Sequence, residues 1–110
     1  MSKIERINDL ILEELATAVN QEVALENVLI TITYVDCSSD LKQAKVGVSV
    51  LPDNLAGTAL KQLTRATSQL VEILKKRTRL RKLPHLIWQF DNTEREADKI
   101  EKLIAEVIED

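Results

Sequence analysis

Six cations fall within eight residues of this chain: Lys75, Lys76, Arg77, Arg79, Arg81 and Lys82. Lysine ammonium groups and arginine guanidinium forks bind phosphate oxygens, so a dense run of them suits a nucleic-acid backbone. Four more cations precede the run. Lys42 and Lys45 flank a candidate strand, and Lys61 and Arg65 stand one helical turn apart. If five or six of these groups each contact a phosphate, counterion release sets a log-log salt slope of roughly −4 to −5, at about 0.7 to 0.9 per contact. The plainer reading is a solvated helix end, where the macrodipole favours cations by about 0.3 to 1 kcal/mol each. For Lys42, Lys45, Lys61 and Arg65 taken singly, an ordinary exposed cation fits as well.

Charge distribution sharpens the choice. The 110-residue chain carries a formal net charge of −3. Between residues 42 and 82 there are ten Lys/Arg against only Asp53 and Glu72, a net +8; the rest of the chain carries −11. An average near neutrality therefore hides a basic middle between acidic ends.

Other chemistry is poorly supplied. A single cysteine, Cys37, and a single histidine, His85, cannot complete a tetrahedral zinc site or an internal disulfide. Nothing in the spacing suggests a metal, a cofactor or a Ser/His/Asp set, and Cys37 sits in a polar stretch with no neighbouring base to activate it. Asp36, Asp40 and Asp53 read as turn residues. No enzymatic activity is expected. No apolar run reaches the ~20 residues that span a bilayer, so the reducing cytoplasm is the expected setting. Tyr34, Trp88 and Phe90 all fall in candidate strands, where rings serve a core more often than a base-stacking platform; shape and backbone contacts would then dominate any RNA recognition.

The elements that would carry these residues follow from periodicity. Ile4, Ile7, Ile11, Leu15 and Val19 recur at three- and four-residue steps, the stripe of an amphipathic helix. Residues 28–35 are dense in β-branched side chains and predict a first strand. Asp36-Cys-Ser-Ser-Asp40 suits a turn. Ala44, Val46, Val48 and Val50 alternate with polar or small residues, a second strand that Pro52 closes. Leu60, Leu63, Ala66, Leu70, Ile73 and Leu74 return to helical spacing, interrupted near Thr67 and Ser68 by residues of poor helix propensity; a helix kinked over Ala66, Thr67 and Ser68, or two helices meeting at Ser68, is expected. Leu86 to Phe90 predicts a third strand with Trp88 on its buried face. Thr93 and Glu96 can form a capping box ahead of Ile100, Leu103, Ile104 and Val107, a last helix. One α+β domain spanning residues 1–110 is the result.

Two stretches carry a family resemblance. Ser39-Asp-Leu-Lys-Gln-Ala-Lys-Val-Gly-Val-Ser-Val50 is similar to the Ser-x-Asp-Leu-(x)2-Ala-x-Val-x-Val-Ser pattern of ribosome-binding factor A, with one residue fewer between Ser39 and Leu41. Arg79-Leu-Arg-Lys-Leu-Pro-His-Leu86, leading to Phe90 and Asp91, resembles that family's Arg-Leu-x-Leu-Arg-x-x-Pro-x-Leu segment. The element order agrees across nearly the whole chain.

The resemblance implies a type II KH-like fold, α-β-β-α-α-β with an added C-terminal helix, in which a kinked helix pair packs on a three-stranded sheet. It implies a monomeric assembly factor that binds the immature 30S subunit and its 16S rRNA, assists 5′-end processing and serves cold adaptation. An assembly GTPase is a candidate for its release. Three departures stand out: Ala66-Thr67-Ser68 replaces the family's Ala-x-Gly kink, only Lys3 and Arg6 are basic near the N-terminus, and no Gly-x-x-Gly loop is present. The alternative is a protein-interaction or dimerisation module that uses the acidic first and last helices.

Overall fold

The computed structural model of the chain describes residues 1–23 and 25–91. Helix α1 spans Lys3–Glu22, and the Ser2 hydroxyl accepts the Glu5 amide at 3.1 Å, satisfying one of its orphan donors. Ile7, Ile11, Leu15, Ala18 and Val19 form its buried face, while Ile4 is only partly covered. The chain reverses through Asn27, which sits at φ 61°, a region asparagine tolerates well.

Strand β1 spans Leu29–Cys37 and β2 spans Gln43–Leu51. β1 thus runs two residues past the predicted strand and takes in Asp36 and Cys37, expected in the turn. The reason is tertiary. Cys37 pairs with Ala44, its amide donates to the Asn8 side chain of α1 at 2.9 Å, and its side chain is buried. The actual turn, residues 38–42, is held by Asp40, whose carboxylate accepts the Ser38 hydroxyl at 2.6 Å and the Lys42 amide at 3.1 Å.

A short 3-10 turn, Asp53–Leu55, leads into helix α2, Ala56–Arg77. Of the two arrangements expected here, two helices meeting at Ser68 are not formed: the segment is one 22-residue helix that runs through Ala66, Thr67 and Ser68. The Thr64 and Thr67 hydroxyls donate back to the Leu60 and Leu63 carbonyls, both at 2.8 Å. Such back-bonding lets threonine sit within a helix without exposing a competing polar group. Strand β3, His85–Phe90, follows a seven-residue connection.

The sheet order is β1-β2-β3, with β1 antiparallel and β3 parallel to the central strand. Parallel neighbours need a crossover, and α2 supplies it. Both helices cover one sheet face: Ile30, Ile32, Val35, Cys37, Ala44, Val46, Val48, Val50 and Leu86 meet Ile11, Leu15, Leu63, Leu70 and Leu74 in one core. The register shift between Ile32 and Tyr34 inserts Thr33 as an extra residue, so the inward positions change from Ile30 and Ile32 to Val35 and Cys37. The architecture is α+β and KH-like, two helices on a three-stranded sheet. The last helix expected from Thr93 to Val107 lies outside the described residues.

Candidate nucleic-acid interface

The cationic run is built by alternation. Thr78 ends α2: its amide and hydroxyl both reach the Leu74 carbonyl, at 2.8 and 2.7 Å, and its side chain is buried. Beyond it Leu80 and Leu83 pack against the core and Pro84 is buried, while Arg79, Arg81 and Lys82 face solvent. Apolar anchors therefore fix the loop and leave its cations outside. Thr78 carried no sequence signal of this capping role beyond being a threonine after a helical run.

The loop is tied to the β1–β2 turn, because the His85 amide donates to the Lys42 carbonyl at 2.9 Å and Gln43 pairs with His85. The end of the loop that carries Arg79, Arg81 and Lys82 is thereby brought to the turn with Lys42, while Lys75, Lys76 and Arg77 lie in the last turn of α2 just before the loop, where Arg77 meets α1. His85 is exposed beside the turn with Lys42. Asp40, in that turn, is held below the usual carboxylate range by the Ser38 hydroxyl first and the Lys42 amide second.

The cations are not equally available. Arg77 reaches across to α1, with Nη1 3.4 Å from Glu14 and Nη2 donating to Gln21 at 3.2 Å. Lys75 lies 3.4 Å from Glu72 one turn earlier. Among the described residues, Lys42, Lys76, Arg79, Arg81 and Lys82 make no ion pair within 4.0 Å. These five are the groups best placed to meet a phosphate.

The three other cations named from the sequence are placed apart. Lys61 and Arg65 are exposed on α2 at least ten residues before Lys75, about 15 Å back along the helix axis. Lys45 faces away from both helices, on the opposite sheet face, beside Asp36 on β1 and Ile87 on β3. The ten cations therefore do not form one continuous face. Sequence alternation put Lys45 on the wet side of its strand but could not say which layer covers the other side.

The rings are placed away from the cluster. Trp88 Nε1 donates to the Thr67 hydroxyl at 2.9 Å, and Tyr34 to Gln89 at 3.2 Å. Phe90, read as a core residue, is instead 40% exposed because it ends an edge strand. It lies at the far end of β3 from the cations. Cys37, buried at 6% exposure, has its thiol pushed up, mainly by burial and then by Asp36, so it holds its proton. Among the described residues no His, Cys, Asp and Glu side chains cluster as metal ligands, and no helix is long and apolar enough to cross a membrane.

Comparison with known proteins completes the picture. The family model described as Ribosome-binding factor A matches residues 3–104. The chain is 35% identical over 107 residues to the Ribosome-binding factor A of Staphylococcus epidermidis, covering 96% of this chain and 92% of that protein. It is 36% identical over 110 residues to that of Thioalkalivibrio sulfidiphilus, covering 97% and 84%. The crystal structure of ribosome-binding factor A from Thermus thermophilus superposes with a TM-score of 0.72 at 26% identity, covering 80% of this chain and 96% of that one. A Thermus thermophilus ribosome-binding factor A homology model, fitted into the cryo-EM map of a complex with the 30S subunit, gives 0.69 at 28% identity, covering 77% and 91%.

Proposed function

The chain belongs to the ribosome-binding factor A family, and from that premise we propose that it binds the immature 30S subunit through its cationic end and assists late 16S rRNA maturation, including 5′-end processing. The observation that carries this reading is the anchored loop, where Leu80, Leu83 and Pro84 turn inward and Arg79, Arg81 and Lys82 outward. A loop whose backbone is held by the core presents its charges at little ordering cost, and that favours binding. The fit of the Thermus relative to a 30S complex supports the same partner.

No chemistry is required. Phosphate contacts from Lys42, Lys76, Arg79, Arg81 and Lys82 hold one rRNA conformation until assembly proceeds. Exposed Glu5, Asp9 and Glu13 on α1 repel phosphate and orient the docked protein. The protein acts in the cytoplasm as a monomer, serves growth in the cold, and leaves the subunit when assembly is complete, with an assembly GTPase as the releasing partner. His85 and Cys37 have no catalytic part in this scheme.

Co-sedimentation of the protein with 30S, 50S and 70S particles, at low and high salt, tests the proposal beside the variant Arg79→Gln/Arg81→Gln/Lys82→Gln. Salt-sensitive binding to 30S particles that the variant loses supports it. Equal binding to all particles, or a variant that binds as the parent does, removes it and moves the function to a protein partner of the acidic α1 face.

A further inference from the structure

The turn between β1 and β2 is held more firmly than an exposed connection requires. The Asp40 carboxylate accepts the Ser38 hydroxyl at 2.6 Å and the Lys42 amide at 3.1 Å. The Ser38 hydroxyl in turn accepts the Gln43 amide at 3.1 Å, and the Leu41 amide donates to the Ser38 carbonyl at 2.9 Å. Leu41 itself stands at φ 59°, left-handed backbone that a bulky apolar residue rarely adopts. Its side chain packs against the core. A strained residue persists where its surroundings over-determine it, and here an apolar anchor and these hydrogen bonds do so.

What the turn carries is the link to the cationic loop. On leaving Leu41 the chain presents the Lys42 carbonyl to the His85 amide at 2.9 Å, and Gln43 then pairs with His85. Lys82 stands three residues before His85, and Lys42 is exposed on the turn side of the same bond. Asp40 is the single acid of residues 38–42. A carboxylate at this place repels phosphate by its charge, and supports phosphate binding only through the shape it gives the turn.

We propose that Asp40 and Leu41 are positioning residues for the RNA contact: together they hold Lys42 in register with the loop that carries Arg79, Arg81 and Lys82. The Asp40 carboxylate fixes the Lys42 amide, and the left-handed Leu41 fixes the direction in which the chain leaves the turn. Neither residue needs to touch RNA. Cations from two separate segments of the chain then meet the rRNA backbone without first having to be ordered, which favours binding. The inference rests on the proposed contact of these cations with rRNA.

Binding of the full chain to 30S particles over a salt series compares the parent with Asp40→Ala, Asp40→Asn and Leu41→Gly, each checked for folding by circular dichroism. Asp40→Ala removes a negative charge and yet should weaken binding by roughly three- to tenfold, with a log-log slope shallower by about 0.7 to 0.9, the weight of one phosphate contact near about 0.1 M salt. Asp40→Asn keeps a side-chain carbonyl for the Lys42 amide and should bind as the parent does or more tightly. Leu41→Gly takes the left-handed backbone freely but gives up the apolar anchor. It should weaken binding in the same way, and it carries the test if Asp40→Ala does not fold. In a Lys42→Gln background, Asp40→Ala should bring little further change in slope. Turn variants that bind as the parent does, or more tightly, would overturn the positioning role; so would the full change in slope persisting without Lys42. The Arg79→Gln/Arg81→Gln/Lys82→Gln variant separates two failures. If it binds as the parent does, the RNA site itself falls; if it loses binding while Asp40→Ala and Leu41→Gly keep it, only the positioning role does.

Discussion

Thr67 and Trp88 are joined by a hydrogen bond of 2.9 Å from the indole Nε1 to the hydroxyl, which itself donates to the Leu63 carbonyl at 2.8 Å. One hydroxyl therefore closes the α2 backbone and fastens β3 to the middle of that helix. Thr67 stands where a break was expected, and it serves instead as a joint between layers.

Replacing Thr67 by valine keeps the shape but leaves the Trp88 N–H without its acceptor. The expected loss is about 1–2 kcal/mol, from the desolvation of an unpaired donor, whereas Thr67→Ser retains the bond and costs less. Urea denaturation followed by the fluorescence of Trp88, the only tryptophan, measures both. Equal stability of the valine variant and the parent would remove the joint.

Gly47 allows the Tyr34 ring to lie across the sheet and reach Gln89. A Cβ at residue 47 would collide with Cε2 and Cδ2 of that ring and come within 2.7 Å of the Thr33 hydroxyl. Alanine elsewhere in a strand is mildly favourable relative to glycine, but Gly47→Ala should cost roughly 1–3 kcal/mol because it forces the ring off its place. In a Tyr34→Ala background the ring's share of that cost should vanish and only the Thr33 contact should remain, as a double-mutant cycle would show.

Cys37 should resist alkylation in the native protein at neutral pH and react readily once unfolded. Its folded pKa is raised, so the native state holds the proton more tightly than the unfolded chain does. This contribution to stability is fully present below the ordinary value of 9.0 and is lost as pH rises through the folded value. Denaturation midpoints across the alkaline range should therefore fall more for the parent than for Cys37→Ala.

The variant Arg79→Gln/Arg81→Gln/Lys82→Gln should keep its thermal midpoint, since all three side chains are exposed. Its log-log salt slope for 30S binding should be shallower by roughly 2 to 3, at about 0.7 to 0.9 per phosphate contact. Filter binding over a salt series gives the slope directly. An unchanged slope would separate these residues from phosphate.

Arg77 should behave differently from its neighbours in the run. Its contact with Glu14 is solvent-accessible, with side chains 38% and 26% exposed, so Glu14→Gln should change stability by no more than about 0.5 kcal/mol. The same variant should leave the salt slope of 30S binding within error, because Glu14 takes no part in the loop. Chemical denaturation and binding on one preparation measure the two effects.

The sequence by itself determined the element types, the core stripe of α1, the alternation of β2 and the basic middle of the chain. Local periods of 3.6 and 2 residues and a simple count of charges are readable without a partner. Its two family patterns pointed to the right relatives because they held the turn at Asp40 and Leu41 and the loop before β3. Tertiary contacts decided the rest. Asn8 and Ala44 drew Cys37 into β1, and α2 continues past Ser68 as one helix whose Thr67 takes the Trp88 indole of β3. The parallel pairing of β3 with β2 brought the loop after α2 beside Lys42, whereas sheet sidedness sent Lys45 to the face opposite the helices. Each of these depends on which distant surface covers a residue, a quantity that no spacing along the chain contains.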